Sequence, residues 1–157
     1  MTHDQREERE MRERRRRVVT RTVCIVIAAA LLISMVVEYN AAECPRKMGT
    51  FSQYQYPHTM ARYAECARFV GIQAKDDAEA VQKLIAKIED LKEKVGIKKT
   101  IADYGVDEKY FLETLDDMCE KAFDDQCTGA NPRYPLISEI KDMFLRAYYG
   151  DNKKSEN

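Results

Sequence analysis

Tryptophan is absent from the 157 residues, and glycine, proline and histidine are scarce, at 6, 4 and 2. The glycines stand at 49, 71, 96, 105, 129 and 150, never closer than nine positions. Neither G-x-G-x-x-G nor G-x-x-x-x-G-K-[ST] can be written from them, so no phosphate-cradling loop of either type is present. His3 and His58 are 55 positions apart. H-E-x-x-H and the Cys/His zinc patterns are therefore excluded. None of the four serines stands in G-x-S-x-G. Period-two alternation is also missing, which argues against strands. These absences remove a self-sufficient nucleotide-using, zinc-dependent or hydrolase-type enzyme.

What is present is charge, at 34% of residues, and apolar side chains, at 45%. The net charge of −1 hides an asymmetry. Residues 1–22 carry eight Arg against five Asp or Glu, a net of +3, and the rest of the chain is −4. The N-terminal stretch therefore differs in kind from the body. The body offers no basic face interleaved with aromatics, so nucleic acid is not an expected partner. Five cysteines stand at 24, 44, 66, 119 and 127 with no C-x-x-C. An odd, irregular set reads as reduced thiols used as small packing residues in a cytoplasmic protein.

Residues 1–17 lack an apolar period and are expected to form a disordered or frayed helical arm. Val23 to Val37 is an apolar run of 15 residues, about 22 Å as a helix against a hydrocarbon core of about 30 Å. It suits a buried helix, and residues 18–37 also suit a membrane anchor behind a basic segment. A loop follows at 43–57, with Pro45, Gly49 and Pro57 as breakers.

Four further helical segments follow. Residues 58–71 place Met60, Tyr63, Ala64, Ala67 and Val70 on one face, with His58 as a surface or capping residue. Residues 76–95 place Val81, Leu84, Ile88, Leu91 and Val95 on a stripe, with Asp76 and Asp77 at its start and Gly96 at its stop. Residues 98–105 form a helical turn, and Asp107 caps a helix at 108–123. A polar connection, 124–135, leads to a last helix at 136–149. The expected fold is all-α, a compact multi-helix domain over 23–150, with an arm at 1–22 and a tail at 151–157.

Three stretches carry a resemblance: PRKMGTFSQYQYPHTMARYAE, LKEKVGIKKTIADYGVDEKYF and, above all, AFDDQCTGANPRYPLISEIK. Together with Ala30 to Ala41, which ends in Tyr39-Asn40-Ala41, they resemble the helical C-terminal domain of iron-containing alcohol dehydrogenases. The bifunctional aldehyde–alcohol dehydrogenases are the most similar branch. The resemblance covers residues 28–150 and makes the apolar run a buried helix rather than an anchor. It implies an oxidoreductase family that interconverts a primary alcohol such as ethanol with its aldehyde, using iron(II) and NAD. In that family the metal is held by one Asp and three His, the last in a His-x-x-His-Gly context just before the matched helix. Here that place reads Val23-Cys24-Ile25-Val26-Ile27, without histidine. No metal ligand, catalytic residue or cofactor-binding residue carries over, and no cofactor is expected for this chain alone.

Within the 124–135 connection, Asp124, Thr128 and Asn131 are expected to satisfy backbone groups of a buried turn, with Arg133 paired to a carboxylate. The whole reads as a partial C-terminal dehydrogenase domain, inactive alone. Its apolar face would self-associate or meet a full-length dehydrogenase relative. A truncated gene product and a small protein reusing the domain both fit, and a membrane-tethered or soluble helical interaction module is the alternative.

Overall fold

The computed structural model describes residues 3–42 and 58–150, without the side chains of 3–9, 16 and 18–25. Five α-helices carry the described residues: α1 His3–Asn40, α2 Thr59–Phe69, α3 Asp77–Lys94, α4 Glu108–Asp124 and α5 Ile137–Tyr149. Two 3-10 turns, Ala102–Tyr104 and Thr128–Ala130, flank α4, and no strand occurs among the described residues. The fold is all-α.

The helix starts follow from the sequence. The Asp76 carboxylate accepts the Glu79 N–H at 2.8 Å, and Glu79 accepts the Lys75 N–H at 2.7 Å. The Lys75 N–H bond, with the Lys83 ammonium nearby, holds the Glu79 carboxyl below its usual range. Asp107 caps α4 in the same way, accepting from the Tyr110 N–H at 2.9 Å. His58 occupies the N-cap position of α2 but makes no side-chain cap bond. Gly71 turns the chain from α2 toward α3 with φ 83°, a left-handed conformation that a Cβ would strain.

The chain divides into two units, Met1–Ala30 and Leu31–Asn157, and α1 contributes to both. In the first unit, residues 3–22 continue the helix, where the sequence reading sets an arm apart. Glu and Arg are good helix formers, and Glu8/Arg12, Glu10/Arg14 and Glu13/Arg17 are i,i+4 pairs in the favoured order. Val26, Ala28 and Ala29 are exposed, and Leu31 is the first buried side chain of α1 among the described residues. No helix among the described residues is long and apolar enough to cross a membrane.

The second unit holds two cores. In the first, Val37 of α1 and Ala41 just after it meet Ala64 and Ala67 of α2 and Ala80 and Val81 of α3. Ala64, Ala67 and Ala80 are fully buried, and such small side chains let helix axes approach closely. In the second, Phe111, Leu115 and Cys119 of α4 meet Ile140 and Tyr148 of α5. Phe111 and Tyr148 stack with ring centroids 4.2 Å apart.

The apolar stripe on α3 is corrected at its far end. Val81 is buried and Leu84 and Ile88 pack against the core, but Leu91 and Val95 are exposed at 59% and 64%. Lys92 is buried in their place. At 100° per residue, Leu91 lies about 80° round the helix from Val81, and Lys92 only about 20°. The Lys92 ammonium donates to the Glu89 carboxylate at 2.8 Å, to the Leu31 carbonyl at 3.3 Å and to Ser34 Oγ at 3.5 Å. Ser34 in turn donates to Glu89, so the buried cation is paired and hydrogen-bonded. Val70, read onto the inner face of α2, is also exposed.

Candidate functional site

An open groove of about 310 Å³ is cut between α1 and the α4–α5 pair. Leu32, Val36 and Tyr39 form one wall, and Ile140, Met143 and Phe144 the other. Cys127, Thr128 and Asn131, from the turn between α4 and α5, close one end. The lining is overwhelmingly apolar. Ile33 and Val36 of α1 are 47% and 40% exposed. Among its described residues the apolar run is buried at Leu31, Ser34 and Val37, and Asn40 and Ala41 continue that face.

The 124–135 connection makes the end wall. Thr128 Oγ1 donates to the Ala122 carbonyl at 2.6 Å, tying the turn to the last turn of α4. Asn131 Nδ2 donates to the Arg133 carbonyl at 2.6 Å. The amides of Asn131 and Asn40 also bond to each other in both directions, at 2.7 and 3.1 Å. Arg133 Nη2 bonds the Glu139 carboxylate at 2.8 Å. Asp124 is placed differently from the expectation: it ends α4 in the open, and the turn carboxylate is its neighbour Asp125, which accepts the Cys127 N–H at 2.8 Å. An acceptor two residues before the N–H closes an Asx turn; from Asp124 the spacing is three. Burial of the turn is partial, with Gly129 and Pro135 inside.

Two partners of this turn were not visible in the sequence. The Tyr39 hydroxyl donates to Glu139 at 2.7 Å, and the Arg133 guanidinium lies over the Tyr39 ring. Glu139 also accepts the Leu136 N–H at 2.8 Å, capping α5. Their sequence separations from Arg133 to Tyr39 and from Asn131 to Asn40 run to about ninety residues. Only Asn40, polar inside an apolar helix, could have signalled a distant partner.

The polar groups round the groove are spent on one another. Thr128, Asn131 and Tyr39 all hold internal bonds, so the groove itself presents apolar surface. Cys119 lies in the core, and its burial, with Asp116 nearby, pushes the thiol pKa up and keeps it protonated at neutral pH. Of the cysteines read as packing residues, Cys119 is buried but Cys66 and Cys127 are exposed; all three are free. The side chain of Cys24, all of Cys44 and the 151–157 tail lie outside the described residues. Among the described residues, no three His, Cys, Asp or Glu side chains stand together to hold a metal ion. His58 is exposed at the start of α2, away from any such set. The described residues do not assemble an iron site.

The sequence model of the Fe-containing alcohol dehydrogenase family, C-terminal, matches residues 26–148. The chain belongs to that family. It is 52% identical over 126 residues to the bifunctional aldehyde-alcohol dehydrogenase AdhE of Escherichia coli K12, across 79% of this chain and 14% of that protein. It is 47% identical over 122 residues to the aldehyde-alcohol dehydrogenase of Clostridium acetobutylicum, across 78% of this chain and 14% of that one. The NADPH-dependent butanol dehydrogenase of Clostridium saccharobutylicum is 35% identical over 92 residues, across 59% of this chain and 24% of its own. The chain therefore spans about a seventh of the length of the aldehyde-alcohol dehydrogenases. The match encloses both cores, the groove and the whole 124–135 turn.

Proposed function

We propose that this chain is a helical packing domain of an alcohol/aldehyde dehydrogenase that performs no catalysis by itself. The observation that carries the reading is a pairing: a family match over 26–148, and no set of three potential metal ligands together among the described residues within it. The groove is the face through which the domain meets the dinucleotide-binding part of a dehydrogenase. Its apolar lining and the exposed Ile33 and Val36 support that role, because apolar surface of this kind is stable only when covered. Left uncovered, the same face drives self-association. The free thiols Cys66 and Cys127 suit a reducing, cytoplasmic setting.

The test is one sample measured three ways. The purified chain is loaded with iron(II), titrated with NADH by fluorescence, and assayed for ethanol-dependent NAD reduction. No retained metal, no NADH binding and no turnover is the expected result; measurable turnover overturns it. The packing role is tested by co-purification with an intact aldehyde-alcohol dehydrogenase. Binding should be lost in the Val36→Glu variant, and no complex at micromolar concentration removes the role.

A further inference from the structure

The family match begins at residue 26, so the charged half of α1 is not accounted for by the dehydrogenase fold. Arg14 to Arg17 are four consecutive arginines. On an α-helix consecutive residues are 100° apart, so four of them ring the axis within about 6 Å of its length. Arg14, Arg15 and Arg17 are all exposed, and Arg17 Nε donates to the Glu13 carbonyl at 3.5 Å. Arg21 lies one turn further on. The acidic residues of this stretch stand on its N-terminal side, at positions 4 to 13. Beyond the ring the sequence turns apolar, and Val26, Ala28 and Ala29 present apolar side chains in the open. The polarity of the helix thus changes along its length, from a cationic ring to bare hydrocarbon.

We propose that residues 12–30 bind the surface of an anionic lipid bilayer. The arginines would meet headgroup phosphates, which they can engage with paired N–H donors. The apolar residues that follow would enter the boundary between headgroups and acyl chains without spanning the bilayer. Nucleic acid is the weaker occupant. No aromatic residue precedes Tyr39, and residues 12–38 contain no Asn or Gln, so nothing here stacks on or reads a base. A duplex would also leave Val26, Ala28 and Ala29 in water, whereas a bilayer surface takes charge and hydrocarbon together.

The experiment is co-sedimentation of the full chain with vesicles of phosphatidylcholine, with and without about 30% phosphatidylserine, at low and high salt. The expected result is binding to the anionic vesicles alone, reduced at least tenfold in 0.5 M salt. The variant carrying Arg14→Gln, Arg15→Gln, Arg16→Gln and Arg17→Gln should lose binding at least tenfold while keeping its far-UV circular dichroism. Val26→Asp, which leaves the arginines intact, should weaken it several-fold. Absence of binding to anionic vesicles overturns the proposal. So does equal binding to neutral vesicles, binding indifferent to the arginines, or tighter binding to a DNA or RNA oligonucleotide.

Discussion

The Arg133 guanidinium lies 4.0 Å from the centre of the Tyr39 ring. Glu139 holds both residues, one carboxylate oxygen on Arg133 Nη2 and the other on the Tyr39 hydroxyl. The side chains of Arg133 and Glu139 are about four-fifths buried, so each charge depends on the other. Arg133→Ala would leave Glu139 partly buried without its cation and remove the cover from Tyr39. The expected loss is about 2–4 kcal/mol of unfolding free energy. Arg133→Lys should recover less than half, because an ammonium reproduces neither the fork nor the stacking. Urea denaturation followed by circular dichroism measures both.

Lys92 allows a sharper contrast. Lys92→Met keeps the buried stem and removes a cation whose desolvation already offsets much of its pairing. Its cost should stay within about 1 kcal/mol. Lys92→Ala also empties the space that the stem fills and should cost about 2 kcal/mol. Equal losses in the two variants would show that the charge, not the packing, is what α3 needs there.

The second core is built on few large side chains. Phe111 is buried and stacked on Tyr148, so Phe111→Ala should cost about 3–5 kcal/mol. Phe111→Leu, which keeps most of the volume, should cost under half as much. Thermal unfolding of the three proteins side by side gives the comparison.

Tyr149 donates to Glu108 at 2.6 Å. That bond, then burial and the Glu108 charge, pushes its phenol up to about 12 from the ordinary 10. A raised pKa contributes stability fully present below pH 10 and lost as pH rises through 12. Ultraviolet titration of the protein against its Tyr149→Phe variant should show a late-ionising phenol that the variant lacks. Their difference in stability should shrink between pH 10 and 12; a constant difference would contradict the bond.

The helix order was legible because each helix carries its own local signal. Asp76 and Asp107 cap α3 and α4 with bonds inside four residues, and Gly105 closes the turn before α4 with φ 81°. The Thr128 to Arg133 segment could be picked out as a turn from its residue types. Its carboxylate was misplaced by one position, since Asp124 and Asp125 are equivalent by composition and differ only in spacing to the Cys127 N–H.

The sequence by itself determined the all-α class, the caps, the family resemblance and the lack of a phosphate loop or histidine ligand set. Each of these depends on residues within a few positions of one another, or on residues that are not there. Tertiary structure decided which face of α1 is buried and why Lys92 goes inside while Leu91 stays out. It also decided that Asn40 pairs with Asn131 and that Tyr39 sits under Arg133. The reason is geometric. An apolar run around a whole helix carries no direction, and a polar residue far along the chain becomes a partner only when two helices cross beside it.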